Sequence, residues 1–134
     1  MWEPRSARRM HKMAAASQLP AHSSSLRLYR ERESEGCWFV TKCLQPRKKV
    51  LNEKNRTLIA TAICHYAEQQ SLFLAAFTVM PDHWHMLMHT RNGQTISDFM
   101  RIAGHWISIQ TKAYLATQAC RWQQGFYETR VKSL

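Results

Sequence analysis

The chain reads as one α+β domain, a four-stranded antiparallel sheet with two helices on one face, preceded by a mobile N-terminal arm. Three observations predict this. Periodic segments follow the order strand, helix, strand, strand, helix, strand, which is the ferredoxin-like split arrangement. The two middle strand-like runs are joined only by Met80, Pro81 and Asp82, a connection short enough for a hairpin. A length of 134 residues with 45% hydrophobic content suffices for one core but not two. In this arrangement the third strand lies between the first two, and both helices cover the same face.

Residues 1–35 differ from the rest. Arg5, Arg8, Arg9 and Lys12, then a serine-rich stretch at Ser23 to Ser25, show little periodicity and few core formers, so a solvated, mobile arm is expected. Met13 to Ala16 is too short an apolar region for a secretory signal. The Arg and Ser content also suits an organelle transit peptide or an upstream extension of the true start.

From Gly36 the domain begins and is expected to run over residues 36–134. Cys37 to Leu44 is rich in aromatic and β-branched residues and reads as the first strand, closed by Pro46 and followed by the basic loop Arg47, Lys48 and Lys49. Asn52 is placed to cap a helix to about Gln70, with Leu58, Ile59, Ala62, Ile63 and Tyr66 on its buried face and His65 on its surface. Leu72 to Met80 is apolar at both parities, which predicts an inner or well-covered strand. Asn92 and Gly93 mark a turn. A second helix is expected from Ile96 to Thr117, with a stripe of Ile96, Phe99, Met100, Ala103, Trp106, Ile107 and Tyr114. Gly104 inside it implies close packing or an unexplained cost. A last strand is expected from Phe126.

The chemistry centres on Val79 to Thr90, V-M-P-D-H-W-H-M-L-M-H-T. In a strand, His83, His85, Leu87 and His89 point to one face, while Trp84, Met86 and Met88 point to the other. The apolar side must meet the helices, leaving His83 and His85 on the open face of the central strand, where a pair of imidazoles suits a divalent ion. A His-x-His pair also occurs on strands that hold no metal. The continuous apolar face opposite is what favours a site. Pro81 and Asp82 fit the tight turn before it.

A net charge of +10 and an isoelectric point near 10.0 favour a polyanionic partner, most simply nucleic acid. Arg101, His105 and Lys112, on the outer side of the second helix, are candidates to meet phosphates, although a charged outer face is more often only solvated. Cys37, Cys43, Cys64 and Cys120 are widely spaced without a C-x-x-C pair, which argues against a zinc knuckle or a disulfide scaffold and for a reducing, cytoplasmic setting. No apolar run is long enough to cross a bilayer.

V-M-P-D-H-W-H-M-L, with R-W-Q-Q-G-F-Y-E-T-R-V further on and the F-V-T strand before, resembles the HUH single-tyrosine transposases, especially the REP-associated tyrosine transposase branch. That family usually has V-M-P-N-H, a hydrophobic residue and H, then W-Q-x-G-F-Y-D, and the resemblance spans about Gly36 to Leu134. It implies an endonuclease and strand transferase acting on single-stranded or hairpin DNA in transposition, as a monomer or homodimer. His83 and His85 would hold Mg²⁺ or Mn²⁺ against the scissile phosphate, and a tyrosine hydroxyl would attack, leaving a phosphotyrosyl link and a free 3′-hydroxyl. Imidazoles alone suit zinc equally well, so the metal's identity comes from the resemblance. The family's tyrosine ordinarily lies on a helix beyond the second motif, with a third metal ligand nearby, and the chain is expected to end before that helix. Tyr127, aligned with the preceding strand, is the weak alternative nucleophile and is better suited to packing or DNA contact. Asp82 replaces the usual Asn.

Arg91, Arg101, Arg121, Trp122 and Lys132 are the expected DNA contacts, through phosphate attraction and stacking. They serve equally an active enzyme or a catalytically inactive DNA-binding remnant. A zinc-binding domain of unrelated purpose is a further alternative.

Overall fold

The computed structural model describes residues 35–132. The arm expected over residues 1–35 lies outside the described residues except for Glu35. The elements are β1 (Gly36–Gln45), α1 (Glu53–Gln69), β2 (Phe73–Met80), β3 (His83–Thr90), α2 (Ile96–Phe99), a π-helical segment (Met100–Gly104), α3 (His105–Thr117), β4 (Arg121–Trp122) and β5 (Tyr127–Val131).

The sheet is antiparallel throughout. β3 lies between β2 and β1, and β1 is flanked on its other side by β5 and, at its C-terminal end, by the two-residue β4. This is the expected α+β split arrangement, with the histidine strand inside the sheet. Register fixes the faces. Trp84 pairs with Lys42 and Val79, while His83 pairs with Cys43 and Met80, and His85 with Thr41 and Thr78.

Trp38, Val40, Trp84, Met86 and Met88 form the covered side, packed with Ile59 and Ile63 of α1 and with Phe99, Ile102 and Ile107 of the second helical stretch. Burying each of these large side chains stabilises the fold by roughly 1.5–3 kcal/mol, so the alternation of β3 alone dictates which way the strand faces. The Trp38 indole donates to Oγ1 of Thr90 at 3.1 Å, and that hydroxyl donates to the Gly36 carbonyl at 3.3 Å, tying the start of β1 to the end of β3.

Asn52 caps α1, its side chain accepting from the Asn55 amide at 2.9 Å, and Ile59, Ala62, Ile63 and Tyr66 are buried as the spacing requires. Thr95 caps α2 in the same way through the Asp98 amide.

Two expectations are corrected. β2 is an edge strand and is poorly covered: Phe73 is 62% exposed and Met80 42%. Its apolar residues at both parities divide between the helix side (Leu74, Phe77, Val79) and the open side, with a register shift between Leu74 and Ala76. The second helix is not one regular stripe. The π-helical segment inserts a wider turn, so Ile102, Thr111 and Leu115 are buried while Trp106 and Tyr114 are only partly so. Gly104 has helical dihedrals, and a Cβ there would meet only the Met100 methyl, at 3.9 Å, so close packing does not explain it.

All four cysteines are unpaired thiols. Among the described residues no helix is long and apolar enough to cross a membrane.

Candidate nucleic-acid and metal site

Strand alternation and the helix layer together leave His83 and His85 on the uncovered face. Their rings lie with centroids 5.1 Å apart at an interplanar angle of 72°. Each is only partly buried, and neither is turned under the helices.

His83 is held from behind. Its Nδ1 lies 2.7 Å from Oδ1 of Asp82, and the other carboxylate oxygen of Asp82 accepts from Nε of Arg47 at 3.2 Å. Nη2 of Arg47 also lies 3.3 Å from the same Nδ1, and in the tautomer that donates Nδ1–H to the carboxylate Nε2 carries the lone pair. This carboxylate–imidazole pairing is the usual way a ligating histidine is fixed in tautomer and orientation. The hydrogen bond to His83 is the main cause holding the Asp82 carboxyl below its ordinary range, with Arg47 adding to it against the opposing effect of burial. His85 is stacked at a tilt on Phe39, with centroids 5.2 Å apart. Burial, and secondarily the charge of His83, push its pKa down, which favours the neutral imidazole that a metal ion requires.

The pair therefore fits a divalent ion as two of its ligands. Among the described residues no group of three or more His, Cys, Asp or Glu side chains is gathered around one point. Backbone bonds brace the turn that carries the site: the Leu44 amide donates to the Asp82 carbonyl at 3.0 Å and the Leu51 amide to the Pro81 carbonyl at 2.9 Å.

The other candidate residues scatter. Tyr127 is 67% exposed on the histidine face, across Thr41 from His85, so its backbone is two strand spacings, roughly 10 Å, from that histidine. It is not packed into the core. Tyr66 is buried and the Tyr114 hydroxyl donates to the Val50 carbonyl, so both serve the interior. Arg121 is exposed beside Gln45, at the histidine end of the sheet. Arg91 and Lys132 are exposed at the opposite end, following the residues paired with Gly36 and Cys37. Arg101 sits on the helix side, away from the histidines.

Trp122 is not at the surface. It is 8% exposed and its indole donates to Oγ1 of Thr111 at 2.9 Å, which pins β4 to α3 and leaves no face for a base. Gln123 completes this anchor, its amide donating to the Cys43 carbonyl and its side-chain oxygen accepting from the Cys43 amide. The W-Q-Q-G-F-Y run is thus first of all a clamp on the end of β1.

Sequence reasoning read Asp82 only as a turn residue and missed its bond to His83. The signal was present, since a carboxylate directly before a histidine at a strand start can reach its ring. Phe39 and Tyr127, with Met80 and Phe73, also give the open face an exposed apolar surface that no periodicity argument identifies.

The chain is an α+β domain of basic charge, with an antiparallel sheet whose helices cover one side and whose two imidazoles stand on the other. The chain belongs to the family of IS200-like transposases, whose model matches residues 39–133. Two of the solved structures that share its fold are described as transposases. One, a Deinococcus radiodurans R1 protein described as a candidate transposase, has 18% identity and a TM-score of 0.62, with 74% of this chain and 81% of that chain covered. The other is a REP-associated tyrosine transposase bound to a REP hairpin, with 23% identity and a TM-score of 0.59. There the alignment covers 74% of this chain and 58% of that one. Among curated proteins no significant match is found.

Proposed function

We propose that this IS200-like transposase chain handles single-stranded or hairpin DNA on the open face of its sheet, with His83 and His85 seating a divalent ion, Mg²⁺ or Mn²⁺, against a backbone phosphate. The observation that carries the reading is the pair of imidazoles side by side on the uncovered face of an inner strand, one of them oriented by Asp82. When bound, such an ion would act as a Lewis acid on a phosphoryl oxygen.

The chain's own residues supply the rest. Asp82 holds the His83 ring through Nδ1. Arg47, at the rim, places positive charge where a phosphodiester would approach. Phe39 and Tyr127 offer aromatic faces beside the histidines, suited to stacking of unpaired bases. The nucleophile of the reaction is a tyrosine hydroxyl by family resemblance. In this reading Tyr127 is a strand contact, since its backbone is two strand spacings from His85.

A second reading is favoured by the interior placement of Tyr66 and Tyr114 and by the separation of Tyr127 from His85: a domain that binds the same DNA without cutting it. One experiment separates the two. The full chain is incubated with a hairpin oligonucleotide carrying a single-stranded flank and Mn²⁺, and a denaturation-resistant protein–DNA adduct is sought. An adduct lost in His83→Ala establishes the proposed enzyme, and its retention in Tyr127→Phe places the nucleophile on another side chain of the full chain. An adduct lost in Tyr127→Phe moves the nucleophile to that residue, and hairpin binding without any adduct establishes the binding module.

A further inference from the structure

On the side of the sheet away from the histidines, a cleft of about 540 Å³ opens between the π-helical segment and the loop joining β4 to β5. Its lining includes Lys42, Ser97, Arg101, Gly104, Ser108 and Gln124, with no Asp or Glu among the lining residues. Three features of this cleft are costly to the fold.

The first is Lys42, a cation on the helix-facing side of β1, paired across the sheet with the buried Trp84. Its ammonium donates to the carbonyls of Gln123 at 2.6 Å and Gly125 at 2.8 Å, which uses two of its three protons. Burial depresses its pKa to about 8, and no carboxylate offsets that cost. The second is Arg101, whose Nε is buried without a hydrogen-bond partner among the described residues. A buried donor left unpaired is destabilising, and it calls for an acceptor such as a water or an incoming ligand. The third is Gly104. A glycine inside a helix costs about 1 kcal/mol relative to alanine, yet its dihedrals are ordinary and its missing side chain leaves open space in the cleft wall. Segments of π-helix recur where a helix is bent to function.

We propose that this cleft is a phosphate-binding site, with the third proton of Lys42 and the guanidinium of Arg101 as donors and the bare backbone at Gly104 leaving room for the group. The site lies on the opposite face from the histidine pair, so a DNA chain filling it would contact both sides of the domain. The proposal shares with the proposed function the premise of a phosphate ligand but does not depend on cleavage at His83 and His85.

The test uses inorganic pyrophosphate and the flanked DNA hairpin as probes of the full-length chain. Pyrophosphate is expected to shift the NMR signals of the Lys42 and Arg101 side chains. Arg101→Gln and Gly104→Leu, each checked by thermal melting, are expected to bind it about tenfold more weakly, whereas the double variant His83→Ala, His85→Ala binds it as the wild type does. In a salt series on the hairpin, Arg101→Gln should lower the slope by about one ion released. Displacement of pyrophosphate by the hairpin identifies nucleic acid as the source of the phosphate; failure to displace it assigns the cleft to small phosphate esters. Unmoved Lys42 and Arg101 signals, or wild-type pyrophosphate affinity in both folded variants, overturns the site. An adduct at the histidine face in the Mn²⁺ experiment, together with that negative result, would show that the cleft reading had failed by itself.

Discussion

Nδ1 of His83 lies 2.7 Å from Oδ1 of Asp82, and the two residues are neighbours in the chain. The strand start turns the carboxylate back onto the ring instead of out to solvent. This holds the ring of a partly buried histidine in one orientation. Loss of such a partner typically weakens metal affinity by about 10–100-fold. Asp82→Ala is expected to fall in that range and Asp82→Asn to recover most of the loss, since an amide carbonyl still accepts from Nδ1–H. Mn²⁺ titration followed by electron paramagnetic resonance measures both. Equal affinity in wild type and Asp82→Ala would remove Asp82 from the site.

Function and stability are expected to separate along β3. His83→Ala and His85→Ala should abolish Mn²⁺ binding with little change in melting temperature, because their rings lie on the open face. Trp84→Ala, between them, should cost about 3–5 kcal/mol, because its side chain is fully buried. Thermal denaturation of the three variants side by side tests the contrast. A large loss in either histidine variant would mark that histidine as structural.

The pH dependence follows from His85. Its folded pKa is depressed, mainly by burial and then by His83. The folded state therefore prefers the neutral ring. Its contribution to stability is complete above the unfolded value of about 6.5 and is lost as pH falls through the lower folded value. Asp82, also depressed, acts in the same direction at more acid pH. The metal-free protein should thus lose melting temperature as the pH drops below about 6.5, and His85→Asn should flatten that part of the profile. A wild-type profile that rises on acidification through this range contradicts the assignment.

The clamp formed by Trp122 is testable by itself. Thr111 accepts from the Trp122 indole and donates to the Ile107 carbonyl at 2.7 Å. Thr111→Val leaves a buried indole donor unpaired, at a cost of about 1–3 kcal/mol. Hydrogen exchange should then quicken at Trp122 and Gln123, whose amide bonds to β1, while the hairpin of β2 and β3 stays protected. Unchanged exchange at Gln123 would show that the anchor is held by other contacts.

Much of this was legible in the chain because the signals are local. Trp84, Met86 and Met88 alternate with His83, His85 and Leu87, and a period of two admits one orientation once a helix layer exists. Asn52 stands one residue before the helix and caps it. Leu72 to Met80 misled for the same reason: an edge strand whose open face is also apolar has the composition of a covered one. Trp122 misled because an aromatic beside arginines reads as a stacking residue, and only the position of Thr111, eleven residues earlier on a helix, decides that its donor is used inside.

The sequence by itself determined the order of elements, the face that each strand must bury and the two imidazoles left over, since these depend on spacing between near neighbours and on the free energy of covering apolar surface. Tertiary structure alone decided the remainder: that Arg47 closes on Asp82 from 35 residues away, that β1 brings Phe39 to His85, and that Lys42, Arg101 and Gly104 meet around one cleft. Contacts between distant segments depend on how the helices and loops dock. Docking is set by the sum of many small packing terms, which no short stretch of residues encodes.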